Sequence, residues 1–198
     1  MTNPLLERFA AALHALNSPC LLPATPADAA QAVIAALQER SISEVVAWAD
    51  PVLEQLGLPD LAREAGIAWE TASPETADTA VRATAARAGA GVTTADRAVA
   101  ETGTLLITSG PGKPRSAAVL PPLHIAVVPQ ERLLSSQSAL FAHLSLLALT
   151  GPVPSAINLI TGPSRSGDIE DILVRKVHGP GELIVVVVPA TDPVEVES

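Results

Sequence analysis

The sequence contains few aromatic, cysteine and basic residues, and each shortage excludes a class of protein. Aromatic residues make up 2% of the 198 residues, so small and branched aliphatic side chains must fill the core, which suits layered helices and sheet better than an aromatic-rich β-sandwich. The single cysteine, Cys20, excludes an internal disulfide, and an iron–sulfur cluster would need about four thiolates. Lys and Arg number 12 against 21 Asp and Glu, which disfavours a nucleic-acid partner because phosphate neutralisation needs a basic surface.

Long apolar runs and sorting signals are also missing. No stretch reaches the roughly 18 uninterrupted apolar residues that indicate a transmembrane helix, and the first residues lack the basic and apolar segments of a secretory signal. The four histidines show no metal-ligand spacing, and no Gly-x-Ser-x-Gly elbow supports a hydrolase triad. We therefore expect a cytoplasmic protein without a membrane span or a bound metal.

Helical and strand-like patterns alternate along the chain, which favours an α/β fold with a mostly parallel, twisted sheet covered by helices. An amphipathic helix is predicted within residues 1–20, and a capped helix begins at Pro26. We expect one domain over residues 1–198, with an acidic tail at 189–198. The predicted strands cover 44–49, 66–69, 98–108 with an interruption at 101–104, 123–128, 156–160 and 183–188, and the other predicted helices cover 53–56, 61–65 and 133–149.

The densest polar segment runs from Thr93 to Thr104. Its hydroxyls and carboxylates are costly to bury unless each finds a partner. One interpretation is a bend that faces a ligand, with Glu101 as acid, base or binding carboxylate. The other is a β-bulge whose side chains satisfy the local backbone. The residues alone leave both open.

The segment 108–115 combines glycines and hydroxyls with Lys113 and Arg115, which are ingredients of an anion-binding loop. It matches neither a Walker A loop nor a dinucleotide fingerprint. A Gly/Pro hairpin with solvated cations is the simpler interpretation, and the composition favours it.

The segment 161–171 follows a predicted strand and is predicted to open a short helix. Backbone N–H groups at a helix start bind anions, and Arg165 would add a positive charge. Alternatively, Ser166 or Asp168 caps the helix. Two histidines, His124 and His178, precede strands, where a histidine shuttles protons, orients a carboxylate or is simply structural.

Taken in order, four segments resemble the motif set of the LUD (lactate-utilization) family: 94–104, 120–124, 161–170 and 177–180. The resemblance covers the motif-bearing half, residues 88–188, and Thr94 and Arg97 are its departures from the pattern. The lack of cysteine clusters resembles the branch of the family without ferredoxin-like motifs.

This resemblance implies a fold similar to the NagB/RpiA/CoA-transferase group. It also implies a role in the oxidation of L-lactate to pyruvate, as one subunit of an iron–sulfur system. Since the chain offers no cluster ligands and no flavin or nicotinamide fingerprint, we expect it to bind no redox cofactor, and the iron–sulfur cluster would belong to partner subunits. The alternatives are a stand-alone isomerase or CoA/acyl transferase, by fold analogy, and a regulatory module that binds an anionic metabolite.

We predict a single cleft at the strand ends that binds a small anionic ligand. Arg115 and Arg165 would hold its carboxylate or phosphate, and Glu101 and His178 would be the titrating catalytic pair. The other predicted ligand-binding residues are Thr102, Gly103, Thr104, Ser109, Gly110, His124, Gly162, Ser164, Asp168 and Gly179.

Overall fold

The computed structural model describes residues 3–76, 78–150, 154–166, 174–175 and 179–190. In these residues the helices are α1 (Pro4–Ala15), α2 (Pro26–Glu39), α3 (Pro51–Gln55), α4 (Leu58–Glu64), α5 (Asp78–Arg87), α6 (Arg115–Val119) and α7 (Gln137–Thr150), with a 3-10 helix at Gln130–Arg132. The strands are β1 (Cys20–Leu21), β2 (Glu44–Trp48), β3 (Ala68–Ala72), β4 (Ala90–Thr94), β5 (Arg97–Val99), β6 (Thr104–Ser109), β7 (Leu123–Pro129), β8 (Leu133–Leu134), β9 (Ala156–Ile160), β10 (Arg165–Ser166), β11 (Val174–Arg175) and β12 (Glu182–Val188). The predicted acidic tail lies outside the described residues from residue 191 onward.

A six-stranded parallel sheet forms the centre of the fold, in the order β1-β12-β7-β4-β2-β3. The middle strands β7 and β4 are buried along their whole length, and β12 is buried from Leu183 to Val188. A strand covered on both faces needs apolar side chains at successive positions, which explains the run Leu-Ile-Val-Val-Val-Val. The predicted α/β class with a mostly parallel, helix-covered sheet is confirmed.

Three helices begin at a side-chain cap followed by proline. The Asn3 Oδ1 accepts a hydrogen bond from the Leu5 N–H at 3.0 Å, and the Thr25 Oγ1 accepts one from the Asp28 N–H at 3.1 Å. Asp50 caps α3 in the same way. The caps place α1 and α2 where the sequence predicts them.

A second sheet, in the order β8-β5-β6-β9, follows β4 in the chain. The stretch 98–108, predicted as one interrupted strand, is two antiparallel strands, with Ala98 paired to Leu105. Gly103 makes the intervening turn possible because its φ is +69°, a conformation that L side chains rarely adopt. The strand at 156–160 joins this second sheet by pairing antiparallel with β6.

Helix α7 begins later than predicted and is not amphipathic. Leu133 and Leu134 pair in parallel with β5 as β8, and the helix starts only after Ser136, whose Oγ accepts from the Ala139 N–H at 3.3 Å. Phe141 and Leu149 are exposed although they are large and apolar, so the helix carries apolar side chains on its outer side as well. In the part of the chain that the structure describes, no helix has both the length and the apolarity to cross a bilayer.

Helix α6 packs directly on β4 at Gly91. A Cβ atom at this position would overlap the carbonyl oxygen of Ala117 and lie 2.9 Å from its carbonyl carbon. It would also lie 3.2 Å from Cγ of Pro121. The missing side chain therefore lets the helix backbone approach the sheet more closely than any other residue would allow.

Candidate ligand-binding site

A cleft of about 1000 Å³ lies beyond the carboxyl end of β3, and we call it the main cleft. Its walls come from the segment after β3, the first turns of α5, the loop 109–114 and the start of α6. Open α/β sheets bind their ligands beyond the carboxyl ends of the strands. The polar and charged residues that line the main cleft are Ser73, Thr76, Asp78, Arg82, Thr108, Ser109, Lys113, Arg115, Ser116 and Ser155.

The loop 110–114 is a tight hairpin held against the end of β2. Gly110 and Lys113 exchange backbone hydrogen bonds of 3.2 and 2.9 Å, the Ala49 N–H donates to the Gly112 carbonyl at 3.0 Å, and Trp48 Nε1 donates to the Pro114 carbonyl at 3.0 Å. The hairpin interpretation of this segment is therefore correct. Lys113 of the hairpin and Arg115 at the start of α6 nevertheless line the main cleft, so the segment 108–115 also provides the ingredients of an anion-binding loop.

A buried carboxylate fixes Lys113 over the strand ends. The Lys113 Nζ lies 2.7 Å from Asp50 Oδ2 and 5.4 Å from the centre of the Trp48 ring. Asp50 also accepts hydrogen bonds from Thr94 Oγ1 at 2.8 Å and from the Val52 N–H at 3.0 Å. Burial by itself raises the pKa of the Asp50 carboxyl, but these hydrogen bonds and the charge of Lys113 bring that pKa below its ordinary value.

The Asp50–Thr94 hydrogen bond links the ends of β2 and β4, the two neighbouring strands between which the order of strand addition reverses. Strands β2 and β4 are neighbours, yet the chain passes from β2 outward to β3 and from β4 the other way to β7. Such a switch point opens a crevice at the carboxyl ends of the two strands. The pair formed by Asp50 and Lys113 stands at this crevice.

Replacing Asp50 by asparagine tests how much the charged pair stabilises the fold. Asp50→Asn keeps a helix cap and a hydrogen-bond acceptor but removes the charge that faces Lys113, so we expect the free energy of unfolding to fall by about 1–2 kcal/mol. Urea denaturation at neutral pH measures this loss. The matched control is Asp60→Asn, because Asp60 forms an exposed pair with Arg63 and should cost less than about 0.5 kcal/mol. Equal losses in the two variants would contradict the prediction.

Two buried hydroxyls in the main cleft have no hydrogen-bond partner among the described residues. They are the Oγ atoms of Ser109 and Ser116. Ser109 is only 7% exposed, and buried polar groups are nearly always paired in folded proteins. Both oxygens are covered by neighbouring protein atoms, so a ligand in the cleft would reach them only after a small local shift.

The guanidinium groups of the main cleft are exposed and uncompensated. Arg82 and Arg115 both line it, and no carboxylate of the described residues forms a salt bridge with either. Guanidinium groups bind carboxylates and phosphates through paired hydrogen bonds. The main cleft can therefore hold an anion, with hydroxyl groups nearby to orient it.

A second cavity of about 260 Å³, the small pocket, adjoins the main cleft. Thr108 and Lys113 line both. In the small pocket Asp96 Oδ2 accepts hydrogen bonds from the backbone N–H and the Oγ1 of Thr108, at 2.6 and 2.8 Å. The two cavities thus meet at one lysine and one threonine. The small pocket is lined by Asp96, Arg97, Leu106, Thr108, Lys113, Arg132, His143 and Leu147.

Three of the predicted site residues line the main cleft: Ser109, Gly110 and Arg115. Five of the others lie at the opposite end of β6: Glu101, Thr102, Gly103, Thr104 and Gly162. Thr104 and Ser109 begin and end this strand, so they are about 17 Å apart at the rise of an extended chain. The expectation that one cleft gathers the whole predicted set is therefore wrong for the described residues.

Glu101 belongs to the group outside the cleft. Its Oε2 accepts a hydrogen bond from the Gln137 N–H at 3.0 Å and so caps α7, while its Oε1 lies 3.6 Å from Arg8 of α1. The side chain is 42% exposed. Neither the main cleft nor the small pocket includes Glu101, so its role as acid, base or binding carboxylate stays a prediction.

The threonines near Glu101 form a row of hydroxyl groups. Thr102 Oγ1 lies 2.7 Å from Thr104 Oγ1, which lies 2.8 Å from Thr161 Oγ1. Two glycines of this region adjoin the N-terminal helix and the residue after it. A Cβ on Gly103 would lie 3.2 Å from the backbone nitrogen of Leu13, and one on Gly162 would lie 3.2 Å from Cβ of Leu16. These motif residues therefore pack against the first helical segment.

The remaining predicted residues divide between the interior and the region after β9. His124 is fully buried, and its Nε2 lies 2.9 Å from Thr93 Oγ1. It lines neither cavity, so direct ligand contact is ruled out there. The Ser164 N–H donates to the Pro180 carbonyl at 2.9 Å, and a Cβ on Gly179 would lie 3.3 Å from that of Ser164.

The rest of the predicted site cannot be placed in either cavity. Arg165 contributes backbone to β10, which pairs antiparallel with β11. Asp168 and His178 lie outside the described residues. Within the described residues, no group of three or more His, Cys, Asp or Glu side chains is arranged to hold a metal ion.

Several charged residues in and beside the two cavities have no local signal in the sequence, among them Asp50, Arg82 and Arg132. Lys113 was noted as one of two cations in its loop but was not chosen as a site residue. The sequence shows Lys113 only as a cation in a Gly/Pro loop that follows a strand. Its pairing with Asp50 gives no local signal because the two residues are far apart in the sequence.

Comparison with known proteins gives a consistent result. A family model described as LUD domain matches residues 6–188. Lactate utilization protein C from Halalkalibacterium halodurans is 41% identical over 152 residues, covering 76% of this chain and 64% of that protein. The protein of the same name from Shouchella clausii is 36% identical, covering 73% and 62%, and that from a Geobacillus species is 31% identical over 196 residues, covering 94% and 78%. The chain thus spans less than two thirds of the length of the first two relatives.

A solved structure shares the fold. The crystal structure of a DUF162 family protein from Deinococcus radiodurans matches with a TM-score of 0.62 at 21% sequence identity, covering 93% of this chain and 96% of that one. At this identity the likeness concerns the fold alone.

Proposed function

Since the chain belongs to the LUD domain family, as its motifs predicted, we propose that it takes part in lactate utilization by binding a small anionic ligand in the main cleft. The relatives named above carry the name lactate utilization protein C. The observation that carries the proposal is the combination of two unpaired guanidinium groups with two buried, unpartnered hydroxyls in one cleft at the strand ends.

The chemistry of these groups suits a hydroxy or oxo acid. Arg82 or Arg115 would hold the carboxylate, because a guanidinium presents paired donors to its two oxygens. After a small local shift that uncovers their oxygens, the hydroxyls of Ser109 and Ser116 would donate to, or accept from, the oxygen on the neighbouring carbon. Lactate and pyruvate have this arrangement of oxygens. The cleft exceeds a three-carbon acid in volume, so larger anions belong in the test as well.

In this proposal the redox step takes place on partner proteins. Oxidation of lactate to pyruvate removes two electrons and two protons, and an iron–sulfur subunit of the same system would accept the electrons. The chain would bind and present an anion to that system. The alternative of a stand-alone transferase with Glu101 as nucleophile receives no support from the geometry, because Glu101 caps α7 beside Arg8.

Ligand binding can be measured directly on the isolated chain. We expect lactate, pyruvate or a larger carboxylate to raise the melting temperature, since a ligand at about 100 times its Kd adds about 2.7 kcal/mol to the free energy of unfolding. Arg115→Gln and Arg82→Gln should weaken that binding about tenfold or more, because each removes a charged hydrogen-bond donor. The panel should also contain succinate and a CoA ester.

Arg63→Gln is the matched control, because Arg63 is an exposed arginine on α4 that pairs with Asp60. It should bind the same anion as tightly as the unchanged chain. Equal weakening in all three variants would indicate a non-specific charge effect and contradict the proposal. So would the failure of every carboxylate in the panel to stabilise the chain.

A test of the proposed role in a lactate-oxidising system requires the partner subunits. We expect the chain alone to give no lactate-dependent dye reduction, and we expect its addition to the iron–sulfur subunits to increase that reduction. Arg115→Gln should reduce this increase, whereas Arg63→Gln should not. Lactate turnover by the isolated chain would contradict the assignment of the redox step to partners.

A further inference from the structure

We propose that the small pocket is a separate oxyanion site that takes a phosphate group. This inference goes beyond the proposed function, which concerns an anion in the main cleft. It rests on how the cations of the small pocket are held, on their charge balance and on the size of the cavity.

Two guanidinium groups are held by consecutive backbone carbonyls just after β4. Arg97 Nη1 donates to the Asp96 carbonyl at 2.6 Å, and Arg132 Nη1 donates to the Ala95 carbonyl at 2.9 Å. A guanidinium has five N–H donors, so each arginine keeps donors for a ligand. Among the described residues, no carboxylate forms a salt bridge with either group. Two fixed, uncompensated cations therefore face the same small cavity.

The charge balance of the small pocket stays positive when the nearby carboxylates are counted. Arg97, Lys113 and Arg132 oppose Asp96 and the Asp50 that pairs with Lys113. Oxygen Oδ2 of Asp96 already accepts two hydrogen bonds from Thr108. The Asp96 carboxylate therefore competes less with an anionic ligand for the N–H donors of the arginines. In a chain whose net charge is −9, a cavity with excess positive charge is a local exception that favours an anionic ligand.

His143 adds a neutral hydrogen-bonding group to the small pocket. Burial and the charge of Arg97 lower the pKa of His143, and Asp96 opposes this effect only in part. The imidazole is therefore uncharged at neutral pH, and it can donate to or accept from an oxyanion. Burial is the larger cause of this lowered pKa, and the charge of Arg97 is the smaller one.

The number and arrangement of donors favour phosphate over a carboxylate. The two guanidinium groups come from different elements, β5 and the 3-10 helix Gln130–Arg132, and the ammonium group of Lys113 comes from a third. A carboxylate offers two oxygens in one plane, whereas a phosphate monoester or free phosphate offers three or four oxygens in a tetrahedron and up to two negative charges. A cavity of about 260 Å³ has room for such a group, and the rest of an esterified ligand would extend past Lys113 into the main cleft.

Calorimetric titration with inorganic phosphate tests the proposal on the full chain. We expect saturable binding at one site. Arg97→Gln and Arg132→Gln should each weaken it about 10- to 100-fold, because each removes charged hydrogen bonds to the anion. Arg97→Lys and Arg132→Lys should fall between, since they keep the charge and lose the paired donors. If a glutamine variant fails to fold by circular dichroism, the lysine variant decides for that position.

The control variant Arg63→Gln, at an exposed arginine on α4 that lines neither cavity, should bind inorganic phosphate as tightly as the unchanged chain. A second titration with glycerol 3-phosphate distinguishes esters from free phosphate: tighter binding that also responds to Arg115→Gln would show a ligand that spans both cavities. Either ligand must lose affinity in the Arg97 and Arg132 variants.

Two results would overturn the proposal. One is phosphate binding that is absent, or unchanged in the Arg97 and Arg132 variants. The other is phosphate binding that Arg115→Gln abolishes while those variants keep it, which would place the phosphate in the main cleft. A failure of carboxylates to bind in the main cleft would not affect either measurement, so the two proposals fail separately.

Discussion

Gly91→Ala should lower the free energy of unfolding by about 3 kcal/mol or more, at or beyond the upper end of overpacking effects in cores. The added Cβ would overlap the Ala117 carbonyl oxygen, which is backbone and cannot rotate away like a side chain. Helix α6 would have to move off β4, and Arg115 and Ser116 would move with it because they form the first turn of that helix. Urea denaturation measures the stability, and anion titration measures the effect on the main cleft.

Gly110→Ala provides the matched control for this prediction. Gly110 also lies near the main cleft, but a Cβ there meets no atom within 4 Å, and its φ is not in the left-handed region. We expect its free energy of unfolding to stay within about 0.5 kcal/mol of that of the unchanged chain. A Gly91→Ala variant as stable as Gly110→Ala would show that α6 is not held against the sheet as described.

Acid should destabilise the protein through His124. Burial lowers the pKa of this histidine from 6.5 to about 4, while the unfolded chain keeps the ordinary value. Between these two pH values the unfolded state binds more protons, so the stability falls as the pH falls from about 6.5 to about 4. The difference between the two pKa values corresponds to about 3 kcal/mol in the free energy of unfolding. Urea denaturation at pH 7, 5.5 and 4 measures this loss.

His124→Gln isolates the contribution of the histidine from that of the carboxylates. Glutamine retains a polar group that can pair with Thr93 Oγ1 but does not titrate, so the variant should lose most of the pH dependence between 6.5 and 4. The Asp50 carboxyl has a lowered pKa, so its contribution to stability is lost at lower pH, as the pH falls through that pKa. An unchanged slope between pH 6.5 and 4 in His124→Gln would contradict the assignment.

Local patterns in the sequence were sufficient for the elements of the main sheet. Apolar runs at 123–128 and 183–188 became the fully buried parallel strands, and the Thr25-Pro26 cap marked the start of α2. The second sheet was not predicted, because nothing local distinguishes a strand that pairs in parallel with β7 from one that pairs antiparallel with β6. Strand pairing depends on contacts between distant segments, and a single sequence does not show these.

The candidate site was predicted only in part for the same reason. Ser109, Gly110 and Arg115 were found because they are close together in one polar loop. The pair of Asp50 and Lys113 and the convergence of Arg97 with Arg132 join segments that are far apart in the chain. His124 lies inside β7 and is fully buried, and nothing local in the sequence distinguishes a histidine that faces a ligand from one that faces the interior.

The glycines of the family motifs show a further ambiguity. Gly103 and Gly162 both have positive φ angles, as a ligand-binding turn would require. In the structure they approach the first helical segment at Leu13 and Leu16 instead. The sequence alone does not distinguish a glycine that makes room for a ligand from one that makes room for a neighbouring helix.

These two turns bring the first helical segment next to the threonine row. Gly103 immediately precedes Thr104, and Gly162 immediately follows Thr161, so two of the three hydroxyls lie next to a contact with that segment. A Cβ at either glycine would lie 3.2 Å from the first helical segment, so that segment would have to shift by a few tenths of an ångström. The seating of α1 and the turns beside Thr104 and Thr161 therefore depend on the same two positions that lack a side chain.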